Sequence, residues 1–212
     1  MDPKTRGLLD KLLAFGQAND RRVSHKSEKM LNIPKDTGEF LAAMIRATRA
    51  RHVLEIGTSN GYSTIWLADA VDSDGQVTSL DITAEKTRLA TENLAQAGYL
   101  DRVTLLTAHA EDFLSDVRTP QFDLVFLDAD RSQYIDWWPL LKKSLVPSGT
   151  IIVDNAISHA EELTTFTALI QSEPSVTQAL VPVGKGERII VVHEDTATLS
   201  LPTSQSHHNN QG

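Results

Sequence analysis

The chain contains no cysteine. That excludes a disulfide framework, a thiolate metal site and a cysteine nucleophile, and it fits a reducing compartment. Basic residues are outnumbered, 20 Lys and Arg against 28 Asp and Glu, for a net charge of −8. Nucleic acid needs a basic surface to displace its counterions, so neither a nucleic-acid partner nor an anionic membrane is expected. No run approaches the roughly 20 apolar residues that span a bilayer. The N-terminal stretch MDPKTRGLLDKLLAF breaks its apolar residues with charges, unlike a signal peptide, and the expectation is a cytoplasmic protein. With 11 Gly and 8 Pro in 212 residues, a fibrous repeat is excluded as well. What is present is 41% hydrophobic and 23% charged residues, enough for one domain of generous size with a sizeable core.

Residues 4–20 carry Leu8, Leu9, Leu12, Leu13 and Phe15 at helical spacing. Asn32 to Gly38 reads as a loop through its Pro and Gly, and Glu39 to Ala50 as a second helix. From residue 52 short apolar runs alternate with helical segments. The runs are His52–Ile56, Gln76–Leu80, Val103–Leu106, Leu124–Leu127 and Thr150–Val153. The segments are Thr64–Ala70, Glu85–Ala97, Glu111–Val117, Trp137–Leu145 and Ala160–Gln171. Such alternation predicts an α/β fold, a parallel sheet with helices on both faces. Thr177–Val183 and Arg188–His193 flank the turn Gly184–Glu187 and predict a final antiparallel pair. Residues 1–50 are expected to pack on a core of 51–195. The polar tail 196–212, with His207 and His208, is expected to be disordered and solvated.

Two constellations carry chemistry. The first is the run Val53 to Ser63, a strand entering a turn with Gly57 and Gly61, followed by a helix start at Ser63. Glycines allow a tight turn and close approach of a ligand, and the helix start offers N–H groups to an anion. Asp81 ends the next strand, twenty residues after Gly61, where a carboxylate suits the two hydroxyls of a ribose. The loop is Gly-x-x-x-Gly, with Ser59 where a dinucleotide fingerprint has its second glycine. A nucleoside ligand is therefore expected rather than a pyrophosphate. The second constellation is Asp128, Asp154 and Asn155, at the ends of two later apolar runs. Carboxylates at neighbouring strand tips converge and repel, and two carboxylates with an amide oxygen suit a hard divalent cation.

The motifs Glu-x-Gly-Thr-x-x-Gly-Tyr-Ser (55–63), Leu-Asp-Ile (80–82), Phe-Leu-Asp-Ala-Asp-Arg-x-x-Tyr (126–134) and Val-Asp-Asn (153–155) stand in order along the chain. Together they resemble the cation-dependent O-methyltransferases that use S-adenosylmethionine (SAM), the group of catechol and caffeoyl-CoA O-methyltransferases. The resemblance spans about residues 30–194. It implies a Rossmann-like fold whose seven-stranded, mostly parallel sheet has an antiparallel last strand. It places SAM against Glu55, Gly57, Ser59, Gly61, Ser63, Asp81, His109, Ala110 and Asp128. Ser63 would take the methionine carboxylate, Asp81 the ribose and Ala110 the adenine. Asp128, Asp154 and Asn155 would hold Mg²⁺, Mn²⁺ or Ca²⁺, and Leu31 to Ile33 would flank cofactor and acceptor. The acceptor implied is a small aromatic molecule with vicinal hydroxyls, and the assembly a homodimer, with the N-terminal helix a plausible interface.

One position departs from the pattern. The family often carries Lys three residues after the first metal-binding Asp, and here that residue is Arg131. A guanidinium stays protonated and cannot accept a phenol proton, though it can stabilise a phenolate. His159 is then the nearest candidate base in sequence, with a surface or capping role as its alternative. Trp137 and Trp138 could wall a substrate, but with Leu140 and Leu141 they read more simply as core. Two rival functions share the fold. An NAD-dependent oxidoreductase is opposed by Ser59 and leaves Asp128, Asp154 and Asn155 unused. A catalytically weak SAM-binding module has Arg131 as its only support.

Overall fold

The computed structural model describes residues 1–193. The tail 196–212, including His207 and His208, lies outside the described residues. Among the described residues, no helix is long and apolar enough to cross a membrane.

Asp2 starts the first helix, α1 (Pro3–Arg22), by accepting the N–H groups of Lys4 and Thr5 at 2.8 and 3.0 Å, with Pro3 in the first turn. The second helix, α2, runs Lys35–Thr48 and begins four residues earlier than its sequence suggested. Pro34 has φ −60°, already suited to a helix start. Gly38 is not a breaker; a Cβ at that position would collide with the Trp66 indole.

The rest of the chain alternates. β1 (His52–Ile56), α3 (Tyr62–Ala70), β2 (Gln76–Asp81), α4 (Ala84–Ala97), β3 (Val103–Thr107) and α5 (Ala110–Asp116) come first. β4 (Phe122–Leu127), α6 (Tyr134–Ser144), β5 (Leu145–Val153), α7 (Thr164–Ser172), β6 (Val176–Val181) and β7 (Glu187–Val192) follow. The seven strands lie in the order β3-β2-β1-β4-β5-β7-β6, with β7 antiparallel to both neighbours and the remaining pairings parallel. This is the doubly wound sheet with an antiparallel last strand that the sequence implied.

Alternate residues of each strand feed opposite faces, as the period of a strand requires. Val53, Leu124 and Phe126 pack on one side with Leu41, Ile45 and Ile65. Leu54, Val125 and Leu127 pack on the other with Leu114, Leu141 and Phe166. Trp137 and Trp138 are buried there. Tyr134 and Trp138 meet the Phe166 ring edge-on at 5.7 and 6.0 Å, and Tyr134 lies 5.8 Å from Trp137. The Trp pair is therefore core and not a substrate wall.

The expected helix 160–171 is cut back to Thr164–Ser172, and turns occupy 154–163. Ala160, Glu162 and Leu163 donate to carbonyls three residues back, the tighter pattern of a turn, and the residues before them are held from outside. Ala156, Ile157 and Ser158 give their N–H groups to the Gly186 and Lys185 carbonyls at 2.7, 3.2 and 3.0 Å. The turn is thereby tied to the β6–β7 hairpin.

Candidate active site

Strand register places the site. Ile56 lies beside Leu80 on one side and Leu127 on the other, and Leu127 lies beside Val153. Asp81, Gly57, Asp128 and Asp154 each come one residue later, so they stand in one row at the carboxyl edge of the sheet. The Asp128 N–H reaches the Ile56 carbonyl and the Asp154 N–H the Leu127 carbonyl, both at 3.0 Å. Between β1 and β4 the winding of the sheet reverses, and such a switch point opens a crevice for ligands.

Gly57 has φ +117°, and a Cβ there would collide with the Asp128 carbonyl oxygen. Its first duty is thus to let the exits of β1 and β4 pass. Gly61, at φ +81°, caps α3 and would bring a Cβ within 3.1 Å of Ala90. Between them Ser59 works as a stitch. Its N–H donates to Asp81 Oδ2 at 2.9 Å and its hydroxyl to the Met30 carbonyl at 2.6 Å. The Thr83 N–H donates to Asp81 Oδ1 at 2.9 Å. Each oxygen of Asp81 is thus fixed by one backbone donor and keeps acceptor capacity for a diol. The Ala108 N–H bonds the Asp81 carbonyl at 3.0 Å, which sets exposed His109 and buried Ala110 next along the edge.

The structure corrects the role expected for Glu55. It is wholly buried beneath the loop and accepts hydrogen bonds from the hydroxyls of Ser63, Thr64 and Ser79. Burial pushes its carboxyl up to about 7 against the opposing pull of those hydroxyls. Glu55 therefore braces the first turn of α3 and is not itself available to a ligand. The Ser63 hydroxyl is spent on that brace. What remains for an anion is the backbone of the helix start, where the first N–H groups lack intrahelical partners.

On the other side of the switch point lie the acids. Asp154 is 2% exposed and Asn155 is buried with φ +63°, a conformation Asn tolerates better than most residues. The Asn155 amide nitrogen donates to Asp154 Oδ2 at 2.5 Å and reaches Asp128 Oδ1 at 3.4 Å. Asp154 Oδ1 is buried and has no hydrogen-bond partner among the described residues. Burial first, then Asp154, pushes the Asp128 carboxyl well above its ordinary range, while Arg131 and Lys185 pull it down. An orphaned carboxylate oxygen beside a second, electrostatically strained carboxylate fits a cation. Turning the Asn155 amide over presents its oxygen to the same place. Among the described residues, no three His, Cys, Asp or Glu side chains already stand as a ligand set.

Arg131 and His159 are brought to the rim of the acid cluster without bonding its carboxylates. The Arg131 side chain is 9% exposed and gives Nε to Glu162 Oε2 at 2.9 Å. His159 is partly exposed and shares a 2.9 Å hydrogen bond between Nδ1 and the Ser158 hydroxyl. Arg131 first, and His159 more weakly, hold the Glu162 carboxyl below its ordinary value, so the three groups form one rim.

Two features escaped sequence reasoning. Glu187, completely buried, accepts the Thr37 hydroxyl at 3.0 Å and lies against Asp154; it had read as part of a polar turn. Asp20 on α1 holds the stretch before α2 by taking the N–H groups of Met30 and Leu31 at 2.7 and 2.9 Å.

Comparison with known proteins agrees with this fold. Residues 15–192 match the O-methyltransferase family profile. The chain belongs to that family. Among curated O-methyltransferases, the catechol O-methyltransferase of Mycobacterium tuberculosis is 41% identical over 123 residues, 57% of this chain and 54% of that protein. The catechol O-methyltransferase of Niastella koreensis is 29% identical, covering 63% of this chain and 62% of that protein. The chain thus matches between half and two thirds of the length of these relatives. The O-methyltransferase of Bacillus cereus, solved in complex with S-adenosylhomocysteine (SAH), superposes with a TM-score of 0.74 at 29% identity over 88% of this chain and 90% of that one. The O-methyltransferase TomG of Streptomyces achromogenes, solved with SAM, gives 0.76 at 25% identity over 92% and 91%.

Proposed function

We propose that the chain transfers the methyl group of SAM to one hydroxyl of a vicinal diol on a small aromatic acceptor, with a divalent cation at the acid cluster. The observation that carries this is the single row of Asp81, Gly57, Asp128 and Asp154 across the switch point. On this reading Asp81 is the ribose-binding carboxylate and Asp128 with Asp154 the cation-binding pair, on either side of one crevice.

Asp81, already oriented by Ser59 and Thr83, takes the ribose hydroxyls. Ala110 leaves room for a flat base, and the α3 start receives the methionine carboxylate. SAM supplies an electrophilic sulfonium methyl. Asp128, Asp154 and the Asn155 oxygen hold the cation, whose chemistry is to favour the anionic form of a phenol with a pKa of about 10 and to fix its orientation. Holding the two reactants in line provides much of the remaining acceleration. Arg131, anchored by Glu162, adds positive charge beside the reacting oxygen and cannot serve as base. His159 on the same rim is the residue able to carry a proton outward.

Ligand-dependent melting tests the cofactor assignment. At one hundred times its dissociation constant SAH should stabilise the fold by about 2.7 kcal/mol. That raises the melting temperature by roughly 5–10 °C in a chain of this size. NAD should produce no shift, and the opposite pattern would return the fold to the oxidoreductases.

A further inference from the structure

The β6–β7 hairpin brings to the acid row a carboxylate that no motif marks. In the antiparallel pairing of β5 with β7, Val153 lies opposite Arg188, so the next pair outward is Asp154 with Glu187. Both side chains are buried, at 2% and 0% exposure. Glu187 Oε1 accepts the Thr37 hydroxyl at 3.0 Å, while Oε2 has no partner. Asp154 Oδ2 takes the Asn155 amide, while Oδ1 has no partner. The two side chains are cross-strand neighbours on one face of the sheet.

Two buried carboxyl groups set face to face, each with a free oxygen, need a positive partner between them. The Thr37 and Asn155 donors are spent on the other two oxygens, and among the described residues nothing hydrogen-bonds the remaining two. A single shared proton would satisfy one pair of oxygens and leave Asp128 as it is. A hard divalent cation, which favours six or more oxygen ligands, would satisfy all three acids.

We propose that Glu187 is a further carboxylate ligand of the divalent-cation site, facing Asp154 across β5 and β7 and steadied by Thr37 of α2. This inference rests on the cation assignment made above. Because the acids do not already stand as a closed ligand set, Glu187 completes the set on loading by turning its free oxygen inward. Thr37 keeps hold of the other oxygen. Three carboxylates around two positive charges give a tighter site than Asp128, Asp154 and Asn155 alone.

The test is Mn²⁺ titration of the chelator-treated full chain, with free Mn²⁺ read by electron paramagnetic resonance. Water-proton relaxation counts the waters on the bound ion. Glu187→Gln keeps the shape and removes the charge. It should weaken Mn²⁺ binding at least about tenfold and add one water to the bound ion, since a lost ligand is replaced by solvent. Glu187→Met should do the same. Binding within twofold of the parent chain, with an unchanged water count, would overturn the proposal and leave Glu187 sharing a proton with Asp154. If neither variant folds, Thr37→Val decides: it should weaken Mn²⁺ binding by a smaller factor, and unchanged affinity would overturn the proposal. A parent chain that binds SAH but no Mn²⁺ would remove the cation site itself, and this inference with it.

Discussion

Glu55 makes a sharp prediction because its cost depends on pH. In the folded chain its carboxyl sits at about 7, against an ordinary value of 4.5. The native state therefore holds the proton more tightly than the unfolded chain does. Between pH 4.5 and 7 the unfolded chain gives up this proton first, so stability falls as pH rises through that window. The gap, at about 1.4 kcal/mol per pH unit, comes to about 3 kcal/mol, absent below pH 4.5 and fully expressed above pH 7. Glu55→Gln cannot ionise; its amide oxygen can still accept from the Thr64 and Ser79 hydroxyls while its amide nitrogen donates to the Ser63 oxygen. Whatever the substitution costs at pH 4.5, the difference from the parent should shift by about 3 kcal/mol in favour of the variant at pH 8. Urea denaturation at the two pH values, followed by tryptophan fluorescence, measures this directly. Titrating groups that do not feel Glu55 are common to both chains and cancel; Asp128, whose carboxyl the Glu55 charge helps raise, shifts the difference in the same direction. An equal stability difference at both pH values would refute the argument that Glu55 is buried with a raised pKa.

Asp81→Ala should lower SAH affinity about tenfold to a hundredfold, since a charge-assisted hydrogen bond is worth roughly 1.5–3 kcal/mol; unchanged affinity by calorimetry would take Asp81 out of the site. Gly57→Ala places a Cβ against the Asp128 carbonyl oxygen at φ +117°, and should cost about 3 kcal/mol or more, since backbone strain and overpacking add. An unchanged melting temperature would show that the two strand exits have room to part. Arg131→Met should lower turnover without adding a titration to the rate profile. His159→Ala should lower turnover and change the rate profile if His159 carries the proton. Full activity with an unchanged profile in either variant would remove that residue from the mechanism.

Much of this was legible in the sequence because the strands here are buried on both faces. The branched runs ending at Ile56, Leu80, Leu127 and Val153 could be read one by one, and the Gly or Asp after each run marked the carboxyl edge. What could not be read depends on tertiary cover. Glu187 follows a Gly-x-Gly turn and looks solvated; it is buried because the start of α2 lies over the hairpin, with Asp36 taking the Gly184 N–H at 3.0 Å. Glu55 sat inside a cofactor motif and so read as a contact, whereas strand alternation turns it beneath the loop toward Ser63 and Ser79. Pro34 and Gly38 looked like breakers, yet one starts α2 and the other makes room for Trp66. Residues 160–163, expected to begin a helix, instead continue the turn that residues 156–158 tie to the hairpin.

The central claim is methyl transfer from SAM to a metal-chelated aromatic diol, and labelled-methyl transfer to paired acceptors tests it most directly. Each pair consists of a ring with two adjacent hydroxyls and the same ring with one, assayed with Mg²⁺ or Mn²⁺ and again with excess chelator. The account predicts transfer to diols, little to the monohydroxy partners, loss of transfer with chelator and recovery when the cation is restored. Equal rates on both members of each pair, untouched by chelator, would contradict it.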